Sequence, residues 1–158
     1  MADEVKTPGT ILLVEDDPGD AALMRRGFEK AGVLNPIQHI THGDKVLAYL
    51  AGVNEYADRT AYPLPVLILL DLKLPGMTGL EILRWVRTQR DLRRIPAVVL
   101  TMNEDPDTIN AAYDAGANSY LLKPGDRKGI VGMINTIQQY WLRLNEPPQL
   151  VMRAQAPE

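Results

Sequence analysis

The sequence predicts an α/β fold in which five parallel strands form one sheet between two layers of helices. Five short apolar runs alternate along the chain with five segments of helical character. Each segment between two runs is long enough for a crossover helix, so we expect the strands to be parallel. The length of 158 residues suits a single domain of this kind.

Each apolar run predicts one strand. The run at 66–71 stays apolar up to a single carboxylate, which is typical of a strand buried on both faces. The run at 36–41 alternates only weakly between apolar and polar residues and predicts a strand at the edge of the sheet. In chain order the predicted strands cover 10–14, 36–41, 66–71, 96–101 and 118–124.

Capping signals mark the ends of several helices. Asp17 and Asp105 each precede a proline, which is favoured at the first helical position, and Thr78 begins the capping-box pattern TGLE. Gly32 and Gly116 are predicted to end the first and fourth helices. In chain order the predicted helices, with their caps, cover 17–32, 44–52, 78–89, 105–117 and 126–145.

Three of these helices also carry apolar residues at helical spacing, which in the first helix are Leu23, Met24 and Phe28. The predicted inward positions of the second helix are Val46, Leu47 and Leu50. The predicted stripe of the last helix is Ile130, Met133, Ile134, Ile137, Trp141 and Leu144. Residues 52–65 lack periodicity and hold two prolines, so we predict a long surface connection there. The domain is predicted to span 9–145, with flexible tails at 1–8 and 146–158.

Composition argues against several classes of function. The net charge of −3 gives no general attraction to nucleic acid or to a membrane surface. No apolar stretch approaches the roughly 18 residues of a membrane span, and the first residues lack a signal-peptide pattern, so we expect a cytoplasmic protein. The absence of cysteine rules out disulfides, thiolate metal sites and cysteine nucleophiles.

Polar residues stand at the carboxyl ends of four predicted strands. The commonest sheet for five such units is the flavodoxin-like doubly wound sheet, with strand order 2-1-3-4-5, in which ligands bind beyond these ends. Strand 1 ends at Glu15 and Asp16, and strand 3 ends at Asp71. Strand 4 ends at Thr101, and strand 5 ends at Lys123. We therefore expect these five side chains at one edge of the sheet.

This set of side chains suits phosphoryl transfer. Three carboxylates in one cleft repel each other unless a cation compensates them, and Mg²⁺ prefers such oxygen ligands. Lys123 adds a positive charge and Thr101 adds a hydroxyl, so the site can neutralise a phosphoryl group that arrives at Asp71. Because a carboxylate is a competent nucleophile toward phosphorus, the pattern predicts an aspartyl phosphate at Asp71.

Four motifs in order, LLVEDD, LLDLKLPGMTG, VVLT and YLLKP, closely resemble the receiver domains of bacterial two-component response regulators. The resemblance covers residues 9–144. It implies a protein that accepts a phosphoryl group from a sensor histidine kinase. The long connection before the third strand and the segment QQYWLRLN are similar to the subgroup that partners bacteriophytochrome histidine kinases. Only one helix and a tail follow Lys123, so we expect a stand-alone receiver without a DNA-binding output domain.

The resemblance implies a Mg²⁺-dependent reaction, with Mn²⁺ as a substitute. Asp71 is the implied phospho-acceptor and a metal ligand. Asp16 is implied to bind the metal directly, Glu15 to bind it through water, and Lys73 to bind it through its backbone carbonyl.

The resemblance also implies how the signal leaves the site. Thr101 and Lys123 hold phosphate oxygens, and Thr101 with Tyr120 forms the switch. We expect a cis bond between Lys123 and Pro124, because a tight turn there would aim the lysine into the site. The face made by the fourth helix, the fifth strand and the last helix is predicted to form a homodimer. Its candidate residues are Tyr113, Tyr120, Tyr140 and Leu142.

Other functions remain as alternatives. A phosphatase of the haloacid-dehalogenase type generally has a second aspartate two residues after its nucleophile, where this chain has Lys73. A flavin carrier would need a phosphate-cradling loop after strand 1, where the sequence EDDPGD would repel phosphate. A degenerate receiver that only binds partners is disfavoured by the intact acid, hydroxyl and lysine. We expect no enzymatic turnover beyond weak self-dephosphorylation.

Two further patterns have a functional and an ordinary interpretation. Residues 84–94 contain five arginines and Trp85, which suggests nucleic acid, but a solvated face of the third helix is favoured. His39 and His42 suggest metal or phosphohistidine chemistry, which we disfavour because no acidic phosphotransfer helix surrounds them.

Overall fold

Five strands and five helices alternate in the computed structural model, which describes residues 8–150. The strands are β1 (Ile11–Val14), β2 (Ile37–Ile40), β3 (Leu67–Leu70), β4 (Ala97–Thr101) and β5 (Ser119–Leu122). The helices are α1 (Pro18–Lys30), α2 (Gly43–Ala51), α3 (Gly79–Thr88), α4 (Pro106–Ala115) and α5 (Arg127–Ile137). Most of the two predicted tails, at 1–7 and 151–158, lies outside the described residues. Leu150, in the described part of the second predicted tail, packs against the core.

The strands form one parallel sheet in the order β2-β1-β3-β4-β5, which confirms the predicted flavodoxin-like fold. Val14, the last residue of β1, pairs with Ile40 on one side and with Leu70 on the other. Because these registers align the strand ends, Glu15 and Asp71 leave the sheet at the same level.

Alternate strand residues pack on opposite faces of the sheet. On β1, Leu12 and Val14 belong to the cluster covered by α2, α3 and α4, whereas Ile11 and Leu13 belong to the cluster covered by α1 and α5. β1, β3 and β4 are buried along their whole length. The two core clusters therefore hold the carboxyl ends of these strands in fixed positions.

The predicted helix caps are present. The side chains of Asp17, Thr78 and Asp105 each accept a hydrogen bond from a backbone N–H in the first turn of the helix that follows. Gly116 ends α4 with φ of +109°, a left-handed conformation that glycine adopts without steric cost. α1 ends at Lys30, two residues before the predicted stop at Gly32.

The last helix differs from its prediction. After α5 the chain continues as a π-helical segment, Gln138–Leu144, in which the Asn145 N–H donates to the Tyr140 carbonyl, five residues back. These wider turns break the 3.6-residue spacing. Leu144, predicted to face inward, is consequently 76 % exposed.

The connection at 52–65 is packed on the domain as well as lying at its surface. It contains a 3₁₀ turn, Asn54–Tyr56, and its two tyrosines, Tyr56 and Tyr62, contact the buried ring of Tyr49 at centroid distances of 5.2 and 6.0 Å. Arg59 donates to the carbonyls of Tyr49 and Leu50 and so caps the end of α2. Tyr49 was not among the predicted inward residues, yet it is fully buried.

The arginine-rich helix is only partly the predicted solvated face. Arg84 is exposed, but Arg87 is half-buried and donates to the carbonyls of Gly116, Arg93 and Ile95. Burial lowers the pKa of Arg87. Arg87 therefore fastens α3 to the segments that precede β4 and β5.

Candidate functional site

An acidic cleft of about 650 Å³ lies at the carboxyl edge of the sheet. Its wall includes every residue predicted to hold the metal or the phosphoryl group: Glu15, Asp16, Asp71, Lys73, Thr101 and Lys123. Residues that sequence reasoning had not assigned to the site also line it, namely Asp17, Pro18, Asp20, Met102 and Asn103.

The centre of the cleft is the ammonium group of Lys123. Its Nζ lies 2.6 Å from Glu15 Oε2, 2.9 Å from Asp71 Oδ2 and 3.1 Å from Asp20 Oδ2. The backbone N–H of Lys123 donates to the Thr101 carbonyl, so pairing with β4 continues past the end of β5. This pairing aims the lysine side chain into the cleft.

The expected cis peptide bond before Pro124 is wrong, because no peptide bond within residues 8–150 is cis. The continued pairing of Lys123 with β4 already directs its side chain toward the acids, so a cis turn is not required.

Glu15 is the most deeply buried carboxylate of the cleft, with 1 % of its side chain exposed. Burial raises its pKa to about 7, against the opposing effect of Lys123. Burial by itself would lower the pKa of Lys123, but the hydrogen bonds to Glu15 and Asp71 outweigh it and raise the pKa. The lysine is therefore held as a cation between the acids.

The turn after β3 presents the Asp71 carboxylate. Asp71 Oδ1 accepts a hydrogen bond from the Lys73 N–H, and the other oxygen contacts Lys123. The Gly79 N–H donates to the Leu72 carbonyl, and a Cβ at position 79 would lie 2.7 Å from the Asp71 carbonyl oxygen. The first residue of α3 must therefore be small for the turn to close.

The donor set fits a hard divalent cation. Carboxylate oxygens of Glu15, Asp16 and Asp71 lie within 4.8 Å of one another, and these residues are the only such group within 8–150. Asp16 is exposed, so it can reach a cation at the mouth of the cleft. All the donors are oxygens, which Mg²⁺ and Mn²⁺ prefer over nitrogen or sulfur.

Asn103 joins the two predicted switch residues. Its backbone N–H donates to Thr101 Oγ1 at 3.3 Å, and its carbonyl accepts from the Tyr120 hydroxyl at 2.6 Å. Burial, and then the negative charges of Asp105 and Asp71, raise the pKa of Tyr120. Tyr120 does not line the cleft, but Asn103 contacts both Tyr120 and Thr101 and so connects the two.

His39 supports the acidic loop. Its Nε2–H donates to the backbone carbonyl of Glu15 at 2.7 Å, an assignment that follows because a carbonyl only accepts. His42 lies outside the cleft lining, and its Nδ1 contacts the hydroxyl of Thr41. Within the described residues, neither histidine belongs to a group that could hold a metal.

Asp20 is the residue of the cleft whose contact the sequence did not reveal. The sequence marks it as an acid in the first turn of α1, which is also the ordinary pattern for a helix start. The signal that could have placed it near the site is that its helix begins directly after the acids at the end of β1. Asn103 and Met102 carry no such signal.

A family model for the response regulator receiver domain matches residues 11–135. The "Probable methanogenesis regulatory protein FilR2" of Methanothrix harundinacea is 38 % identical over 145 residues, which are 92 % of this chain and 91 % of the relative. The response regulator Rcp1 of Synechocystis is 36 % identical over 142 residues, which are 90 % of this chain and 95 % of the relative.

Solved structures give the same result. The Mn²⁺-bound form of Rcp1 superposes with a TM-score of 0.82 at 34 % identity, over 90 % of this chain and all of that one. The phosphorylated cyanobacterial phytochrome response regulator RcpA has a TM-score of 0.85 at 32 % identity, over 90 % and 99 %. The bacteriophytochrome response regulator RtBRR has a TM-score of 0.71 at 38 % identity, over 89 % and 84 %.

No helix within residues 8–150 is long and apolar enough to cross a membrane. The motifs at the four strand ends, the sheet order and these matches agree with one another. The chain belongs to the response regulator receiver domain family, and the proteins similar to it include phytochrome and bacteriophytochrome response regulators.

Proposed function

We propose that Asp71 accepts a phosphoryl group from a phosphohistidine of a sensor histidine kinase. The observation that carries this proposal is the meeting of the Asp71 carboxylate, the Lys123 ammonium and the Thr101 hydroxyl in one acidic cleft. An Asp71 oxygen bonds to phosphorus while the bond from phosphorus to the donor imidazole breaks, and the imidazole takes up a proton as it leaves. The product is an aspartyl phosphate.

The acidic cluster supports a requirement for Mg²⁺, which Mn²⁺ can replace. Asp16 and Asp71 would bind the cation directly, Glu15 would bind it through water, and the Lys73 carbonyl would complete the protein ligands. When bound, the cation neutralises the negative charge of the phosphate oxygens during transfer.

Lys123 and Thr101 would receive the phosphoryl oxygens. The Lys123 ammonium already contacts Asp71 at 2.9 Å, so it lies beside the new bond. The Thr101 side chain is buried next to the cleft, and the one hydrogen bond of its Oγ1 within residues 8–150 is a long one, accepted from the Asn103 N–H at 3.3 Å. A phosphate oxygen offers this hydroxyl a stronger acceptor, because hydrogen bonds to ionised oxygens are the stronger ones.

Movement of Thr101 would carry the signal to the surface through Asn103. The same residue contacts the hydroxyl of Tyr120, so displacement at Thr101 changes the position of Tyr120 on β5. This is a population shift between two packings, driven by an interaction that only one packing makes.

We further propose that the α4-β5-α5 face forms a homodimer. Tyr113 on α4, Leu122 on β5 and Tyr140 just after α5 are all large apolar side chains that are about half exposed. Aromatic residues are enriched in protein interfaces. Two other candidates from the sequence are less available. Leu142 packs against the core cluster covered by α1 and α5, and the Tyr120 hydroxyl already donates to the Asn103 carbonyl.

The partner that best suits the comparisons is a histidine kinase of the bacteriophytochrome kind. The similar solved proteins RcpA and RtBRR are named as phytochrome and bacteriophytochrome response regulators. We propose that this chain acts by contact with other proteins, and that its own chemistry is limited to slow hydrolysis of its aspartyl phosphate.

Incubation with acetyl phosphate, followed by intact-mass measurement, tests the proposed reaction. The wild-type protein is expected to gain one phosphoryl group with Mg²⁺ and none with EDTA. Asp71→Asn should gain none, whereas Asp91→Asn, which removes a carboxylate from a different cleft, should behave as wild type. Labelling of Asp71→Asn, or labelling in EDTA, would contradict the proposal.

A further inference from the structure

Lys123 contacts one carboxylate, that of Asp20, to which the proposed phosphoryl transfer gives no role. An ammonium group has three N–H donors, and here they meet Glu15, Asp71 and Asp20. Glu15 and Asp71 belong to the acidic cluster that suits a cation, but Asp20 does not. All three donors of Lys123 are thus occupied before any phosphoryl group arrives.

A phosphoryl group on Asp71 therefore has to displace one carboxylate from Lys123. Glu15 is poorly suited to leave, because its side chain is 1 % exposed and an unpaired buried carboxylate is costly. Asp71 is bonded to the incoming group, so it stays beside Lys123. Asp20 has 30 % of its side chain exposed, so water can solvate its carboxylate when the contact with Lys123 breaks.

The geometry of the Asp20 contact also marks it as the one that breaks most easily. It is the longest of the three, at 3.1 Å, against 2.6 Å for Glu15 and 2.9 Å for Asp71. Asp20 is held from the first turn of α1, where its own N–H donates to Asp17. The backbone of Asp20 is therefore held at the mouth of the cleft independently of Lys123, while its carboxylate is free to turn to water.

We infer that Asp20 is a positioning residue that competes with the phosphoryl group for the ammonium of Lys123. In the resting protein, Asp20 fills the place on Lys123 that a phosphate oxygen takes after transfer. Its negative charge beside that place also opposes an anionic ligand. This inference rests on the proposed function, because it concerns the same lysine and the same phosphoryl group.

Removal of this competitor should strengthen the binding of a phosphoryl mimic. With beryllofluoride and Mg²⁺ as the probe, Asp20→Asn is expected to bind about two- to fivefold more tightly than wild type, the range for one partly exposed ion pair. Most substitutions in a binding cleft weaken binding, so a gain in affinity is not what a merely structural role would produce.

Asp17→Asn is the matched control for charge. Asp17 lies on the same loop, lines the same cleft and loses the same charge, but it contacts the Asp20 N–H and not Lys123. Asparagine is also a good helix cap, so the start of α1 should be preserved. We expect the affinity of Asp17→Asn for beryllofluoride to stay within about twofold of wild type, because Asp17 is exposed and makes no ion pair with Lys123.

The ammonium signal of Lys123 gives a second readout, without metal or beryllofluoride. In wild-type protein its three protons are held by three carboxylates, so they should exchange slowly with water and be visible by ¹⁵N NMR. In Asp20→Asn the exchange should be faster, while in Asp17→Asn it should match wild type.

Calorimetric titration of the three proteins with beryllofluoride, in the presence of Mg²⁺, separates the possible results. Tighter binding by Asp20→Asn alone, together with faster exchange at Lys123, supports the inference. Equal or weaker binding by Asp20→Asn, an equal gain in Asp17→Asn, or unchanged exchange at Lys123 overturns it and leaves the proposed function intact. Absence of binding by wild type would overturn the proposed function, and the inference with it.

Discussion

Lys123 Nζ lies 2.6 Å from Glu15 Oε2, and both side chains are almost completely removed from solvent. The two residues are 108 positions apart, so this contact joins the end of β1 to the end of β5. A buried ion pair of this kind is favourable only while both partners are present. The contact explains how the fold holds several carboxylates together before a metal or a phosphoryl group arrives.

Loss of the lysine should destabilise the metal-free protein. Lys123→Met leaves Glu15 and Asp71 without their cation, and breaking a buried pair typically costs about 3–5 kcal/mol in the free energy of unfolding. Urea unfolding in EDTA measures this loss, and added Mg²⁺ should restore part of it. Lys128→Met, at an exposed position of α5, is the control and should change little. Equal losses in the two variants would show that the buried ion pair does not stabilise the fold.

Asp16 provides the test of the metal site. Asp16→Asn should weaken Mn²⁺ binding roughly tenfold or more, because the remaining carboxylates cannot complete the coordination. Electron paramagnetic resonance of free Mn²⁺ follows the titration directly. Asp17→Asn removes the same charge from the neighbouring helix cap and is expected to have a much smaller effect. If the two variants bind Mn²⁺ equally, Asp16 is not a ligand.

The sequence predicts the sheet order and the edge where the site lies because both depend on short-range patterns. Apolar runs define the strands, and parallel strands deliver their next residues to one edge. Asp71 and Lys123 could be placed in this way. The contact between Lys123 and Asp20 could not, because it depends on the direction of two side chains from different elements.

The buried Tyr49 should make the free energy of unfolding depend on pH in the alkaline range. Burial raises the pKa of Tyr49 from 10.0 to about 12, so the unfolded chain ionises this residue first. Its contribution to stability is present below pH 10 and is lost as the pH rises through about 12. Relative to Tyr49→Phe, the wild type should lose up to about 2–3 kcal/mol across this range.

Urea unfolding at several alkaline pH values measures the difference between wild type and Tyr49→Phe. Tyr140→Phe, at a half-exposed position, controls for the loss of one hydroxyl from the chain. A pH profile of Tyr49→Phe that runs parallel to wild type would show that the burial of Tyr49 does not govern its ionisation.

The proposed dimer should depend on the exposed apolar residues of the α4-β5-α5 face. Tyr113→Ala, Leu122→Ala and Tyr140→Ala are each expected to weaken self-association, and beryllofluoride with Mg²⁺ is expected to strengthen it in wild type. Light scattering over a range of concentrations reports both effects. Leu34→Ala removes a more exposed apolar side chain from the turn after α1 and should leave association unchanged. A monomer at every concentration would refute the dimer.

The last helix and the 52–65 connection show where sequence patterns fail. The predicted stripe that ends at Leu144 assumes α-helical spacing, and no residue pattern predicts the wider turns that begin at Gln138. Tyr56 and Tyr62 lie in a segment without periodicity, so their packing against Tyr49 is decided by tertiary contacts alone. The sequence places Arg87 on a solvated helix face, and only its hydrogen bonds to the Gly116 and Ile95 carbonyls show its structural role.

The position of the phosphoryl group tests the central claim most directly. Borohydride reduces an aspartyl phosphate to homoserine, so treatment of the phosphorylated protein, followed by peptide mass spectrometry, marks the acceptor. Homoserine is expected at position 71 and at no other aspartate of the cleft. Homoserine at position 16 or 20, with Asp71 unmodified, would contradict it.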